Sequence, residues 1–150
     1  MATCDVCAAL NDPAHWDDLR IYEDALVLLA HVPPSSAAAA DGYPGHLLLL
    51  PRRHVESPAA LSAEEAERIG LWLSRGSRAL EGALGAEHVY LARLGDGWPH
   101  LHFHLLARYA GTPAEYRGMN VREWQGVARC NRTQAAAIAV QLRRAVSETA

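Results

Sequence analysis

The sequence predicts an α+β fold built on a mostly antiparallel sheet of about five strands. Three observations predict it: five short apolar or alternating runs, one long amphipathic helix between the third and fourth of them, and a second helical period near the C-terminus. The 150 residues, half of them apolar and 21% charged, suit one globular domain over 1–150, with the motifs in 4–108 and a tail and helix in 109–150.

Taken in order, the chain opens on Cys4-Asp-Val-Cys7 and a polar turn at Asn11-Asp12-Pro13. Residues 19–22 and 25–31 read as two strands around the acidic pair Glu23-Asp24, a hairpin signal. The stretch 33–45 has proline at both ends and reads as a surface loop. His46-Leu-Leu-Leu-Leu-Pro51 is a continuous apolar run, as in a strand buried on both faces. Ser62-Ala-Glu-Glu65 has the capping-box form, and the helix it opens carries Ile69, Leu73, Gly76, Leu80 and Leu84 on one face before stopping at Gly85. Residues 88–94 and 100–108 read as strands joined by the turn Gly95-Asp-Gly-Trp-Pro99. The tail 109–132 has no period, and 133–146 places Ile138, Leu142, Ala145 and Val146 on one helical face.

All 14 basic residues are arginine, set against 17 acidic ones, for a formal charge of −3. With no lysine, a lysine-dependent phosphate loop and a lysine Schiff base are excluded. The mild acidity argues against sequence-independent nucleic-acid binding. The start of the chain shows no secretory signal, and no apolar run approaches a membrane span. Three cysteines make no disulfide framework, so a cytoplasmic setting is expected.

Eight histidines stand out, and three of them form His100-Leu-His102-Phe-His104-Leu-Leu106. On a strand this alternation lines three imidazoles along one face in a row ~13 Å long and sends Leu101, Phe103 and Leu105 into a core. Such a row suits shared metal ligation, or covalent catalysis with one imidazole as nucleophile and its neighbours as proton donors. Cys4-x-x-Cys7 has metal-ligand spacing.

These residues resemble the histidine triad (HIT) family, whose signature His-φ-His-φ-His-φ-φ (φ apolar) is matched at every position. The resemblance extends to His46-Leu-Leu-Leu-Leu-Pro-Arg-Arg-His54 and to the Cys4/Cys7 pair, which looks like the zinc half-site of bacterial members. It implies a HIT-like fold and a nucleotide hydrolase or nucleotidyl transferase cleaving at the α-phosphate of a nucleoside phosphoramidate, dinucleoside polyphosphate or related nucleotide. His102 would be the nucleophile, with His104, His46 and His100 as its catalytic partners. One structural zinc per chain would be held by Cys4, Cys7, His54 and His100, with His46 as the alternative to His54. A homodimer is implied as well. Alternatives are a nucleotide-binding member with weak or lost catalysis, and a metal enzyme that uses the histidine row itself as ligands.

The chain departs from the family pattern just before the triad, where Asp96-Gly97-Trp98-Pro99 replaces the usual Gln-Ser/Thr-Val. Gly97 N–H groups and a stacking Trp98 are the nucleotide-binding candidates there. The family's ribose-binding aspartate corresponds to His31, and Arg108 follows the triad as a candidate phosphate contact.

Overall fold

The computed structural model describes residues 4–148. Two short helices, α1 (Asp5–Leu10) and α2 (Pro13–Trp16), precede the strands β1 (Arg20–Glu23), β2 (Val27–His31) and β3 (His46–Pro51). Helix α3 (Ala63–Leu84), strands β4 (His88–Ala92) and β5 (Phe103–Arg108), and helix α4 (Arg132–Glu148) follow. The five strands form one antiparallel sheet in the order β1-β2-β3-β5-β4. Among the described residues no helix is long and apolar enough to cross a membrane.

Strand alternation splits the sheet into two faces with different tasks. Val27, Leu29, Leu47, Leu49, Leu105 and Ala107 turn toward α3 and α4 and pack with Ile69, Trp72, Leu80 and Leu142. Leu28, Ala30, Leu48 and Leu50 turn the other way, under Val6, Leu10 and Trp16 of α1 and α2. Both faces being covered, β2 and β3 are buried along their whole length, as the unbroken apolar run of β3 requires.

The capping box is formed: Ser62 Oγ accepts the Glu65 N–H at 3.1 Å, and a Glu65 carboxylate oxygen accepts the Ser62 N–H at 2.8 Å. Arg53 grips the same carboxylate at 2.7 Å, and this contact holds the Glu65 carboxyl down at about 2. The helix ends at Gly85, whose φ of 70° is the left-handed conformation that glycine adopts without a Cβ penalty. Gly76 sits where α3 crosses the sheet; a Cβ there would lie 2.8 Å from Leu105 Cδ2, so the glycine sets how closely the helix approaches β5.

Three expectations shift. The CxxC segment, read as preceding a turn, lies at and in the first turn of α1, a helix too short to show a period. Strand β4 stops at Ala92, and the connection that follows runs from 93 to 102, longer than a hairpin turn. Strand β5 starts at Phe103, so His100 and His102 precede it. The aperiodic tail is built of short 3-10 turns, one over Gly118–Glu123, and Cys130 clips it to the 33–45 loop by a two-hydrogen-bond bridge with Gly42.

Replacing Ser62 by Ala removes one half of the capping box and should cost about 1 kcal/mol, seen as a drop of roughly 3 °C in Tm. Because the Glu65 carboxyl is lowered, its contribution is present above the ordinary carboxylate range and fades as pH falls through about 2. The gap between Glu65→Gln and the parent protein in thermal melts should therefore narrow in acid.

Candidate functional site

The histidines gather where β3, β5 and the segment before β5 meet. The register opposes Leu48 to His104 and His46 to Leu106, which sets His46 and His104 diagonally on the face away from α3. His46 Nε2 and His104 Nδ1 share a hydrogen bond of 2.9 Å. The His102 ring lies next in line, 5.1 Å from His104 centroid to centroid. Burial, and then the neighbouring charge of His104 and of Arg122, pushes His46 well below its ordinary value. The same causes, with His102 as the neighbour, lower His104 to about 4. Both rings are therefore neutral near pH 7.

His102 is held differently. Its Nδ1–H donates to the His100 carbonyl at 2.7 Å, the tautomer in which a neutral ring carries its lone pair on Nε2. That is the form in which an imidazole is a nucleophile.

His100 does not join the row. Lying before the strand, it escapes the alternation that would have turned it beside His102, and its ring points to the cysteines instead. His100 Nδ1 is 3.7 Å from Cys4 Sγ and 3.4 Å from Cys7 Sγ, and Cys7 Sγ is 3.4 Å from His54 Nδ1. The four ligand atoms all lie within 4.8 Å of one another. Zinc with bonds of about 2.3 Å to sulfur and 2.0 Å to nitrogen would set S···N edges of roughly 3.5 Å in a tetrahedron, so this donor set fits the ion. His100 Nε2–H donates to the Pro51 carbonyl at 2.8 Å, a bond that keeps Nδ1 free for a metal. The Leu101 N–H donates to the Val55 carbonyl at 2.6 Å and zips the His54 and His100 segments together. Of the two histidines that the sequence left as alternatives, His54 is in this group and His46 is not. With His100 turned away and His102 Nδ1 bonded to a carbonyl, the row presents no three nitrogens to one ion.

Two cavities open on His102. One, of about 370 Å³, is walled by Val6, Ala9, Trp16, Leu48, Leu50 and Trp98 and is mainly apolar. The other, of about 400 Å³, lies under the 94–98 loop, where Asp96, Gly97 and Trp98 face His102 and His104. Trp98 is 49% exposed with its ring 5.4 Å from the His102 ring.

Two nucleotide-binding candidates are placed elsewhere. His31 pairs in register with Leu47, on the helix-covered face. It is fully buried; Nδ1 donates to the Val32 carbonyl and Nε2 accepts the Gly45 N–H, so neither nitrogen is left for a ribose. Arg108 stands at the far end of β5, opposite His88 and 3.9 Å from Glu87. Arg52 and Arg53 are engaged by Glu23 and Glu65. Sequence reasoning missed Arg122, whose charge reaches both His46 and His104; it lies in the aperiodic tail, where nothing in the sequence signals proximity to the triad.

Fold and site together define a histidine-triad protein. The HIT domain family model matches residues 15–111, and the chain belongs to that family. Similar solved structures include a zinc-bound histidine triad protein from Mycobacterium smegmatis (19% identity, 98% of this chain and 95% of that one, TM-score 0.67). A hypothetical histidine triad nucleotide-binding protein from Sulfolobus tokodaii aligns at 16% identity over 97% and 93%, TM-score 0.69. A histidine triad protein from Bradyrhizobium japonicum aligns at 26% identity over 87% and 92%, TM-score 0.64. A comparison with curated proteins finds no match.

Buried neutral histidines make a pH signature. Because the folded values of His46 and His104 lie below those of the unfolded chain, stability is full above about pH 6.5 and declines as pH falls toward about 4. Urea unfolding at a series of pH values should show this slope, and His104→Asn should flatten it. A slope identical in the two proteins would show that the pH dependence comes from groups other than this pair.

Proposed function

We propose that the protein is a nucleotide hydrolase or nucleotidyl transferase that works through a covalent nucleotidyl-His102 intermediate on a nucleoside phosphoramidate, dinucleoside polyphosphate or related nucleotide. The observation that carries this reading is the His102 Nδ1–H bond to the His100 carbonyl, which leaves Nε2 unprotonated beside two ligand-sized cavities.

The base fits the apolar cavity, against Trp98 at its lip, where an aromatic face and aliphatic walls suit a flat ring. His102 Nε2 then attacks the α-phosphorus in line. The N–P bond forms as the bond from phosphorus to the leaving group breaks. When His46 Nε2–H donates to His104 Nδ1, the His104 proton sits on Nε2, where it can pass to the leaving atom. In the second step water attacks phosphorus, the N–P bond breaks, and the nucleoside monophosphate leaves; an alcohol or phosphate in place of water makes the reaction a transfer. Neutral imidazole serves as both nucleophile and leaving group, so one ring carries both steps.

Cys4, Cys7, His54 and His100 would hold one zinc per chain, and the neighbour from Mycobacterium smegmatis being zinc-bound supports this. With four protein ligands the site is closed, hence structural. A cytoplasmic homodimer is part of the same reading: β4 is an open sheet edge with Leu91 and Leu94 half exposed beside it, as suits strand pairing across a two-fold axis.

Incubation with an adenylated or guanylated substrate and quenching in denaturant should trap a nucleotidyl adduct on His102 by mass spectrometry. His102→Ala should lower turnover by at least about 10³-fold. Nucleotide binding without adduct or turnover would favour the purely binding reading. Metal analysis should find one zinc per chain, lost with a fall in Tm in Cys4→Ser/Cys7→Ser and retained in His102→Ala. Zinc lost in His102→Ala but kept in the double cysteine variant would move the metal to the triad.

A further inference from the structure

The tail sets two arginines beside the triad, on a wall that the chemistry above does not use. A cavity of about 630 Å³ is lined by Val32, Pro33, Tyr43, His46, Arg122 and Arg129. Val121, fully buried against Tyr43 and Leu106, anchors the 3-10 turn that presents Arg122. The Arg122 side chain is exposed and has no carboxylate partner among the described residues. Arg129 is braced: its guanidinium lies 5.3 Å over the Tyr43 ring and donates to the carbonyls of Arg122 and, at 3.0 Å, Trp124. The acid on this wall, Asp41, is occupied by the Ser35 N–H at 2.9 Å and the Ser35 hydroxyl. Across the histidines, the 94–98 loop offers a carboxylate, Asp96, and no cation. The site therefore has a positive wall and a negative one.

An unpaired guanidinium is the natural grip for a phosphate in a chain without lysine. We propose that Arg122, braced by Arg129, binds a second phosphate of the nucleotide, distinct from the one His102 attacks. The proposal rests on the nucleotide reading above and narrows it to substrates with two phosphate groups. That second group is either the next phosphate of an anhydride chain or a phosphate ester on the ribose; the two share one chemistry and reach the same wall past Val32 and Pro33, which line both this cavity and the apolar one. The charge of Arg122 already acts on His46 and His104, which places it within electrostatic reach of the reacting groups.

The test measures dissociation constants of a nucleoside 5′-monophosphate, 5′-diphosphate and 3′,5′-bisphosphate on the full zinc-loaded chain carrying His102→Asn, which cannot turn them over, with and without Arg122→Gln. One of the two-phosphate ligands should bind about ten- to a hundred-fold tighter than the monophosphate, and Arg122→Gln should erase that advantage. Which of the two gains identifies the source of the second phosphate. The proposal is overturned if neither gains, or if Arg122→Gln weakens all three by the same factor. If no nucleotide binds, the nucleotide reading falls by itself, and inorganic pyrophosphate then probes the arginines directly on the otherwise unaltered chain. Pyrophosphate binding that disappears in Arg122→Gln supports the pair, and binding that is absent or equal in both proteins overturns it.

Discussion

The arrangement depends on His100, one residue used twice. Its side chain completes the cysteine cluster, while its carbonyl accepts the His102 Nδ1–H and so sets which nitrogen of that ring carries the proton. Neither function is compatible with regular strand geometry. In a strand the carbonyl would be spent on ladder pairing and the ring would stand beside that of His102. Starting β5 only at Phe103 frees both, and the Leu101–Val55 and His100–Pro51 bonds hold the freed segment in place. A metal at the cluster would thus act on His102 through the backbone, fixing the main chain on which its ring rests.

How much of this was legible in the sequence follows from the range of the interactions. The long helix could be read to its ends because the capping box and Gly85 are local: Ser62, Glu65 and the αL glycine act within a few residues of each other. The sheet and its five strands were legible from alternation and apolar runs, and burial of β3 on both faces from its unbroken run; the short helices α1 and α2 that cover the second face were not. The four cluster residues were named through the family resemblance, whereas the choice of His54 over His46 needed the contact between the 54–55 and 100–101 segments. The row of three imidazoles failed as geometry because periodicity cannot report where a strand begins. His31 was misplaced by the same parity that placed His46: one residue of offset in register decides which face a side chain meets.

Burial of the His46–His104 pair is a second constraint on the chemistry. Two neutral rings sharing one proton on a covered face keep a donor ready without a standing positive charge. The cost of charging either ring is high in the empty site and falls once phosphate brings negative charge next to it. The pair is thus set to take up a proton when an anion lies beside it and to stay neutral otherwise.

The bridge between Gly42 and Cys130 has a consequence for how this protein can diversify. It ties a tail lying beyond the family-matched segment, 15–111, back onto the loop that borders the histidines. The tail adds no strand to the sheet, so its exposed side chains, unlike the buried Val121, can change without disturbing the strand pairing that sets the histidines. The histidine cluster and the arginine wall beside it are therefore written on separate stretches of chain, and one can vary while the other stays.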